Sequence, residues 1–138
     1  MMRKILIGLF LCLTMLGLFP KDVYCFEPDP NRWEYVGGIQ SDVGVFFDKE
    51  TIEIQRRSYL NNVKVWICYA DPNSRMYKYH YIILDMAERM IGLQGVVIRS
   101  YDGEVIESDS VTYVTYDRIV PNSIGETLYL YIKKKYNL

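Results

Sequence analysis

The sequence predicts an α+β domain: an antiparallel β-sheet of about six strands with one C-terminal α-helix packed on one face. Three observations predict it. Period-two alternation of apolar and polar residues recurs through the middle of the chain, and a compact turn signal separates each run from the next. A single stretch at the end, from Arg118 to Lys135, instead follows helical spacing and carries its own start signal.

The first residues read as an export signal. Met1-Met2-Arg3-Lys4 is a positive lead, residues 5–19 are almost wholly apolar, and Pro20, Lys21 and Asp22 break the run. The run is short for a bilayer span, which needs about 20 apolar residues. Residues 1–25 are therefore read as a signal peptide and residues 26–138 as one domain. Cleavage is placed near Val23-Tyr24-Cys25, an uncleaved anchor being the alternative. Lipidation of Cys25 is disfavoured, because bulky Tyr24 stands where a small residue is wanted. A membrane thus enters only through the export signal or a lipid anchor.

The 113 residues after Cys25 suffice for one core. Thirteen Lys and Arg remain there against sixteen Asp and Glu, a net charge of −3. Mild acidity with scattered cations leaves no electrostatic footprint for nucleic acid. Cys68 alone lies securely inside the domain, so no internal disulfide is expected; it reads as a buried small hydrophobe rather than a reactive thiol.

Taken in order, Pro28 and Pro30 make residues 26–32 an extended lead-in. A strand starts at Trp33 and is expected to end at Gly37-Gly38. Residues 43–47 form the next, with Val43, Val45 and Phe47 on one face. Asp48-Lys49-Glu50 turns into residues 51–54, and Asn61-Asn62 is a further turn signal. Residues 63–70 are apolar on both faces beyond Lys64, the mark of a central strand covered on both sides. Asp71-Pro72-Asn73-Ser74 then leads to a long strand over residues 76–84, which returns through residues 90–100. Asp102-Gly103 is a hairpin signal joining residues 104–107. Residues 111–116 read as a further strand or an extended edge.

In the tail, Ser123-x-x-Glu126 is a capping box, with Pro121 fixing the entering chain. Ile124, Leu128, Tyr131 and Ile132 share a face, and Gly125 at its flank would permit close approach. Lys133, Lys134 and Lys135 fall at the negative end of the helix dipole and require no nucleic-acid or membrane partner. Apolar packing alone is expected to hold the helix to the sheet.

Catalytic chemistry finds little support. His80 is the only histidine and has no Cys or carboxylate at ligand spacing, so it reads as structural or exposed rather than metal-binding. No serine stands in a nucleophile elbow. Asp42, Asp48 and Glu50 lack the central Gly and terminal Glu of a calcium loop and read as a solvated turn. Asp85 and Glu88, although close, sit at an ordinary strand end. No cofactor, metal or catalytic residue is assigned. Twelve of the thirteen tyrosines lie beyond residue 25, and strands favour Tyr. The candidate protein-binding set is Arg75, Tyr77, Tyr79 and Tyr81, an exposed stripe on one strand face, because Tyr is enriched at interface hot spots.

The order of several segments resembles the bacterial surface-adhesin protein E-like family. The segments are Trp33, Val45-Phe46-Phe47-Asp48, Thr51-Ile52, Val63-Lys64-Val65-Trp66 and Tyr81-Ile82-Ile83-Leu84-Asp85. They continue with Val96-Val97-Ile98-Arg99-Ser100-Tyr101-Asp102-Gly103 and Ile119-Val120-Pro121-Asn122-Ser123-Ile124-Gly125-Glu126, covering nearly all of residues 26–138. The resemblance implies an exported, non-enzymatic binding domain of a Gram-negative-type bacterium, partnered by host extracellular-matrix or plasma proteins. The alternative is a periplasmic accessory protein that binds an envelope protein or a small ligand. Members often bridge helix to sheet by a disulfide; the matching places here hold Met86 and Lys133.

Overall fold

A computed structural model describes residues 28–39, 42–57 and 60–138. The expected export signal, with Cys25, lies outside them. Eight strands and one helix follow in order: β1 (Trp33–Ile39), β2 (Val43–Asp48), β3 (Glu53–Arg57), β4 (Leu60–Asp71), β5 (Met76–Asp85), β6 (Met90–Ser100), β7 (Val105–Ser110), β8 (Tyr116–Arg118) and α1 (Ile124–Tyr136). The α+β class holds, with eight strands rather than about six.

All eight strands join one antiparallel sheet, ordered β1-β2-β4-β5-β6-β7, with β3 also on β4 and β8 also on β6. Strand length explains the higher count. β4 spans 12 residues, so one edge accommodates two short partners: β2 along Ile67–Ala70 and β3 along Leu60–Lys64. β6 spans 11 residues and is shared likewise, by β7 along Gly95–Arg99 and β8 along Met90–Gly92. Gly92 admits this second partner, since a Cβ there would lie 2.4 Å from a Val114 methyl and 3.2 Å from the Tyr116 ring. The Asn61-Asn62 turn signal is overridden: both residues lie within β4 and pair with β3.

β1 also runs through Gly37 and Gly38 instead of ending at them. The register shifts between Tyr35 and Gly37, so the strand takes up an extra residue as a bulge and continues. The Asp102-Gly103 hairpin forms as expected, with Gly103 at φ 90° and its amide donating to the Ser100 carbonyl at 3.0 Å.

The core lies between the sheet and α1. Val45, Phe47, Val63, Val65, Ile67, Ile82 and Leu84 meet Leu128, Tyr129 and Ile132 of the helix. The helix starts as the capping residues dictate, but with a different reciprocal bond. The Glu126 amide donates to Ser123 Oγ at 3.2 Å, while the Glu126 carboxylate accepts from the Asn122 amide at 2.8 Å. Asn122 adopts φ 60°, which turns its amide toward that carboxylate. Gly125 has no close neighbour that demands a glycine; the nearest atom to a Cβ would be Ser123 Oγ at 3.4 Å.

Polar links supplement the apolar packing of α1, contrary to the expectation of packing alone. Tyr129, missed as a core position, is 3% exposed and its hydroxyl donates to the Met86 carbonyl at 3.1 Å. Arg89 pairs with Glu126 at 3.0 Å, and Arg56 donates to the Tyr136 carbonyl at 2.8 Å. At the far end, the Tyr131 hydroxyl and Lys135 Nζ both donate to Glu34 of β1, the latter at 2.6 Å. Lys135, first of all, and Tyr131 hold the Glu34 carboxyl below its ordinary range. Burial and then Glu34 push the Tyr131 phenol up to about 12.

Candidate functional site

Because directly paired residues point to the same side of an antiparallel sheet, register defines the face opposite α1. β4 contributes Trp66 and Cys68; their β5 partners are Tyr81 and Tyr79, followed on β6 by Gly95 and Val97. On the other side, Cys68 pairs with Phe46, Phe46 with Tyr35, and Asp48 with Trp33. One face of the sheet is therefore predominantly aromatic, and no helix among the described residues covers it.

The rings form a connected set. Trp33 lies 5.7 Å from Tyr79, Trp66 5.1 Å from Tyr81, and Tyr35 5.4 Å from Phe46, centroid to centroid. Between these rings is an open cavity of about 320 Å³, lined by Arg32, Trp33, Asp48, Trp66, Tyr79, Val97 and Arg99. Its size is at the lower end for small-ligand clefts, about 300–1,000 Å³, and its lining combines three aromatic rings and Val97 with the charged Arg32, Asp48 and Arg99.

Asp48 anchors one end. The sequence places it in a solvated turn, but its side chain is fully buried. Arg32 Nε donates to both carboxylate oxygens at 3.1 Å and Nη2 to one at 2.7 Å, while the Glu50 amide donates at 3.0 Å. Burial by itself would raise the Asp48 carboxyl; the Arg32 and Glu50 hydrogen bonds outweigh it and hold the group below its ordinary range. Arg32 is held above its own, chiefly by the hydrogen bonding to Asp48. Its guanidinium also stands 5.7 Å from the Trp33 ring centroid, in cation–π range.

Arg99 is the contrasting cation. It is exposed, and its guanidinium forms no hydrogen bond or salt bridge with any described residue. The cavity thus contains one guanidinium neutralised by a buried carboxylate and one left available.

The four residues singled out from sequence are dispersed by the fold. Tyr79 lines the cavity, and Tyr81 supports it through Trp66. Tyr77 is 3% exposed, because the Tyr101 ring stacks on it at 4.5 Å, so it is not part of an exposed stripe. Arg75 sits at φ 53° in the β4–β5 turn, exposed and outside the cavity lining. Residues missed from sequence are Arg32, Trp33, Asp48, Trp66, Val97 and Arg99. The alternation of β4 could have indicated Trp66, which shares a face with Lys64 and Cys68.

Cys68 is fully buried, and burial pushes its thiol up to about 12; its cross-strand neighbour Tyr79 is pushed to about 12 as well, by burial first and then by Cys68. A thiol held protonated is a poor nucleophile. His80 lies on the helix side with its ring 4.8 Å from Tyr69, and burial lowers its pKa. Asp85 accepts the amides of Ala87 and Glu88 at 3.0 and 2.9 Å, which is a turn-forming task. Among the described residues, no three His, Cys, Asp or Glu side chains are grouped to hold a metal ion.

The site defines a class: a one-sided β-sheet with an aromatic open face and a single available guanidinium. Compared with known proteins, the chain matches no family model, no curated protein and no solved structure.

Proposed function

We propose that this chain is a non-enzymatic binding domain whose open aromatic sheet face is the contact surface for a protein partner. The observation that carries the reading is the cavity among Trp33, Trp66, Tyr79 and Arg99, on the face opposite the helix. Trp, Tyr and Arg are the side chains most enriched among interface hot spots. Tyr35, 59% exposed and packed on Phe46, extends the apolar surface beyond the cavity rim.

The resemblance to surface-adhesin protein E supplies the partner class and location: host extracellular-matrix or plasma proteins, met at the surface of a Gram-negative-type bacterium after export. The recast contact set keeps Tyr79 and Tyr81 and replaces Arg75 and Tyr77 with Trp33, Trp66 and Arg99.

Purified domain is passed over immobilised matrix and plasma proteins. The expected result is saturable binding that weakens about 30-fold or more in Trp33→Ala, the loss typical of a hot-spot residue. Unchanged circular dichroism would show that the variant remains folded. Absence of saturable binding by the parent domain, or undiminished binding by folded Trp33→Ala, would overturn the proposal.

A further inference from the structure

The available cation among aromatic walls specifies the chemistry of what the face receives. We infer that the cavity accepts a carboxylate carried beside an aromatic ring, presented by an acidic–aromatic segment of the partner protein. The inference rests on the reading of the open face as the protein-binding surface.

Three features support it. First, Arg99 is the cavity's unsatisfied charge. Arg32 lines the same space, but its Nε and Nη2 are committed to Asp48, and exposed Glu50 is a second carboxylate 3.7 Å from Nε. A carboxylate entering from solvent therefore meets Arg99 as a free fork of donors, while Arg32 shields it from the buried Asp48 charge. Guanidinium recognises planar carboxylates through paired, charge-assisted hydrogen bonds.

Second, the walls are flat and apolar. Trp33, Trp66 and Tyr79 stand around the cavity, with Val97 on the adjoining strand. Trp33 and Tyr79 are tilted 54° to each other rather than parallel, so an inserted ring can meet one face-on and the other edge-on. The space of about 320 Å³ accommodates one aromatic side chain with its neighbouring carboxylate, not a large ligand.

Third, the surroundings favour a macromolecular source. The Tyr35–Phe46 pair continues the aromatic surface beyond the cavity lining, over an area that a ten-atom ligand would leave uncovered. A protein segment can fill the cavity and cover that rim together.

The chain's two tryptophans, Trp33 and Trp66, both line the cavity, so intrinsic fluorescence reports directly on its occupancy. The full domain is titrated with phenylacetate, neutral phenylacetamide and glucuronate, a carboxylate without an aromatic ring. The peptides acetyl-Gly-Phe-Asp-Gly-amide and its Phe-Asn counterpart follow. Phenylacetate should bind saturably with a Kd of about 1 mM or tighter, as befits ten heavy atoms. Arg99→Gln should weaken it about 10- to 100-fold, the loss of one charge-assisted contact. The Phe-Asp peptide should bind and the Phe-Asn peptide should bind at least tenfold more weakly.

Equal binding of phenylacetamide, or an unaffected Arg99→Gln variant, would overturn the carboxylate assignment. Glucuronate binding as well as phenylacetate would overturn the aromatic requirement. Phenylacetate binding without peptide binding would overturn the protein source and leave a free small carboxylate as occupant. If no probe binds while matrix-protein binding persists and depends on Trp33, the inference fails and the proposed function stands. If the probes bind and no protein partner does, the proposed protein-binding function fails.

Discussion

Replacing Asp48 by Asn tests whether the buried Arg32–Asp48 pair fixes the start of the domain to its sheet. The Asp48 side chain is fully enclosed, accepts three contacts from Arg32 and caps the Glu50 amide. Breaking a wholly buried pair costs about 3–5 kcal/mol, because a charge is left without its counterpart. Arg32 retains 43% of its side-chain exposure, so water satisfies part of what it loses. Exposed pairs contribute only about 0.2–1 kcal/mol. Between these limits, Asp48→Asn should cost about 1–3 kcal/mol at pH 7, or about 5–15 °C in Tm for a domain near 100 residues. Urea unfolding followed by tryptophan fluorescence measures it. Glu50→Gln is the control: Glu50 is 65% exposed and 3.7 Å from Arg32, so its loss should stay within about 0.5 kcal/mol.

The same pair gives a pH signature. The native Asp48 carboxyl is held below its unfolded value of about 3.9, so its contribution is fully present above that value. It is lost as pH falls through the lowered native pKa. The stability gap between parent and Asp48→Asn should therefore be constant near neutrality and close as the solution becomes acidic. A variant as stable as the parent at pH 7, or a gap that widens on acidification, would refute the reasoning.

Two further outcomes test the helix and the thiol. Leu128 is fully buried against the sheet, so Leu128→Ala should destabilise by about 2–5 kcal/mol in urea or thermal unfolding; a cost below about 0.5 kcal/mol would mean that α1 does not dock through this residue. Cys68, with its thiol pushed up to about 12, should resist alkylation by iodoacetamide at pH 8 in the native protein and react once the chain is unfolded. Rapid labelling without unfolding would contradict its burial.

Much of the sheet was legible because alternation is local. The strand over residues 63–70 lies within β4 with Val63, Val65 and Ile67 at the core, but its other face, expected to be covered, presents Trp66 to the open cavity; Ser123 and Glu126 locate the helix start. What local pattern does not carry is pairing. Asp48 reads as a turn carboxylate until Arg32, 16 positions earlier, is brought beside it. Gly37 and Gly38 look like a strand end because a bulge has no fixed residue signature, and β8 is only three residues long. Tyr129 lies beside the face of Ile124, Leu128, Tyr131 and Ile132, yet it is buried because the Met86 carbonyl satisfies its hydroxyl within the core. The cavity was the least legible feature. Its walls come from the start of the domain, β1, β2, β4, β5 and β6, so Trp33, Trp66 and Arg99 become neighbours only through the cross-strand register.

The bond set at Glu34 imposes an order on assembly. Glu34 is made 97 residues before Tyr131 and 101 before Lys135, the two groups that donate to it. A ribosome adds about 5–20 residues per second, so Glu34 precedes its anchors by about 5–20 s. Trp33, the adjoining residue, forms one wall of the cavity. While the last turns of α1 are still unmade, the β4–β5–β6 meander can pair through its own short connections, but β1 lacks its far clasp. β1 is then held by its pairing with β2 and by the Arg32–Asp48 pair, and a nascent chain halted before Tyr131 would carry the aromatic face without the Glu34 fastening.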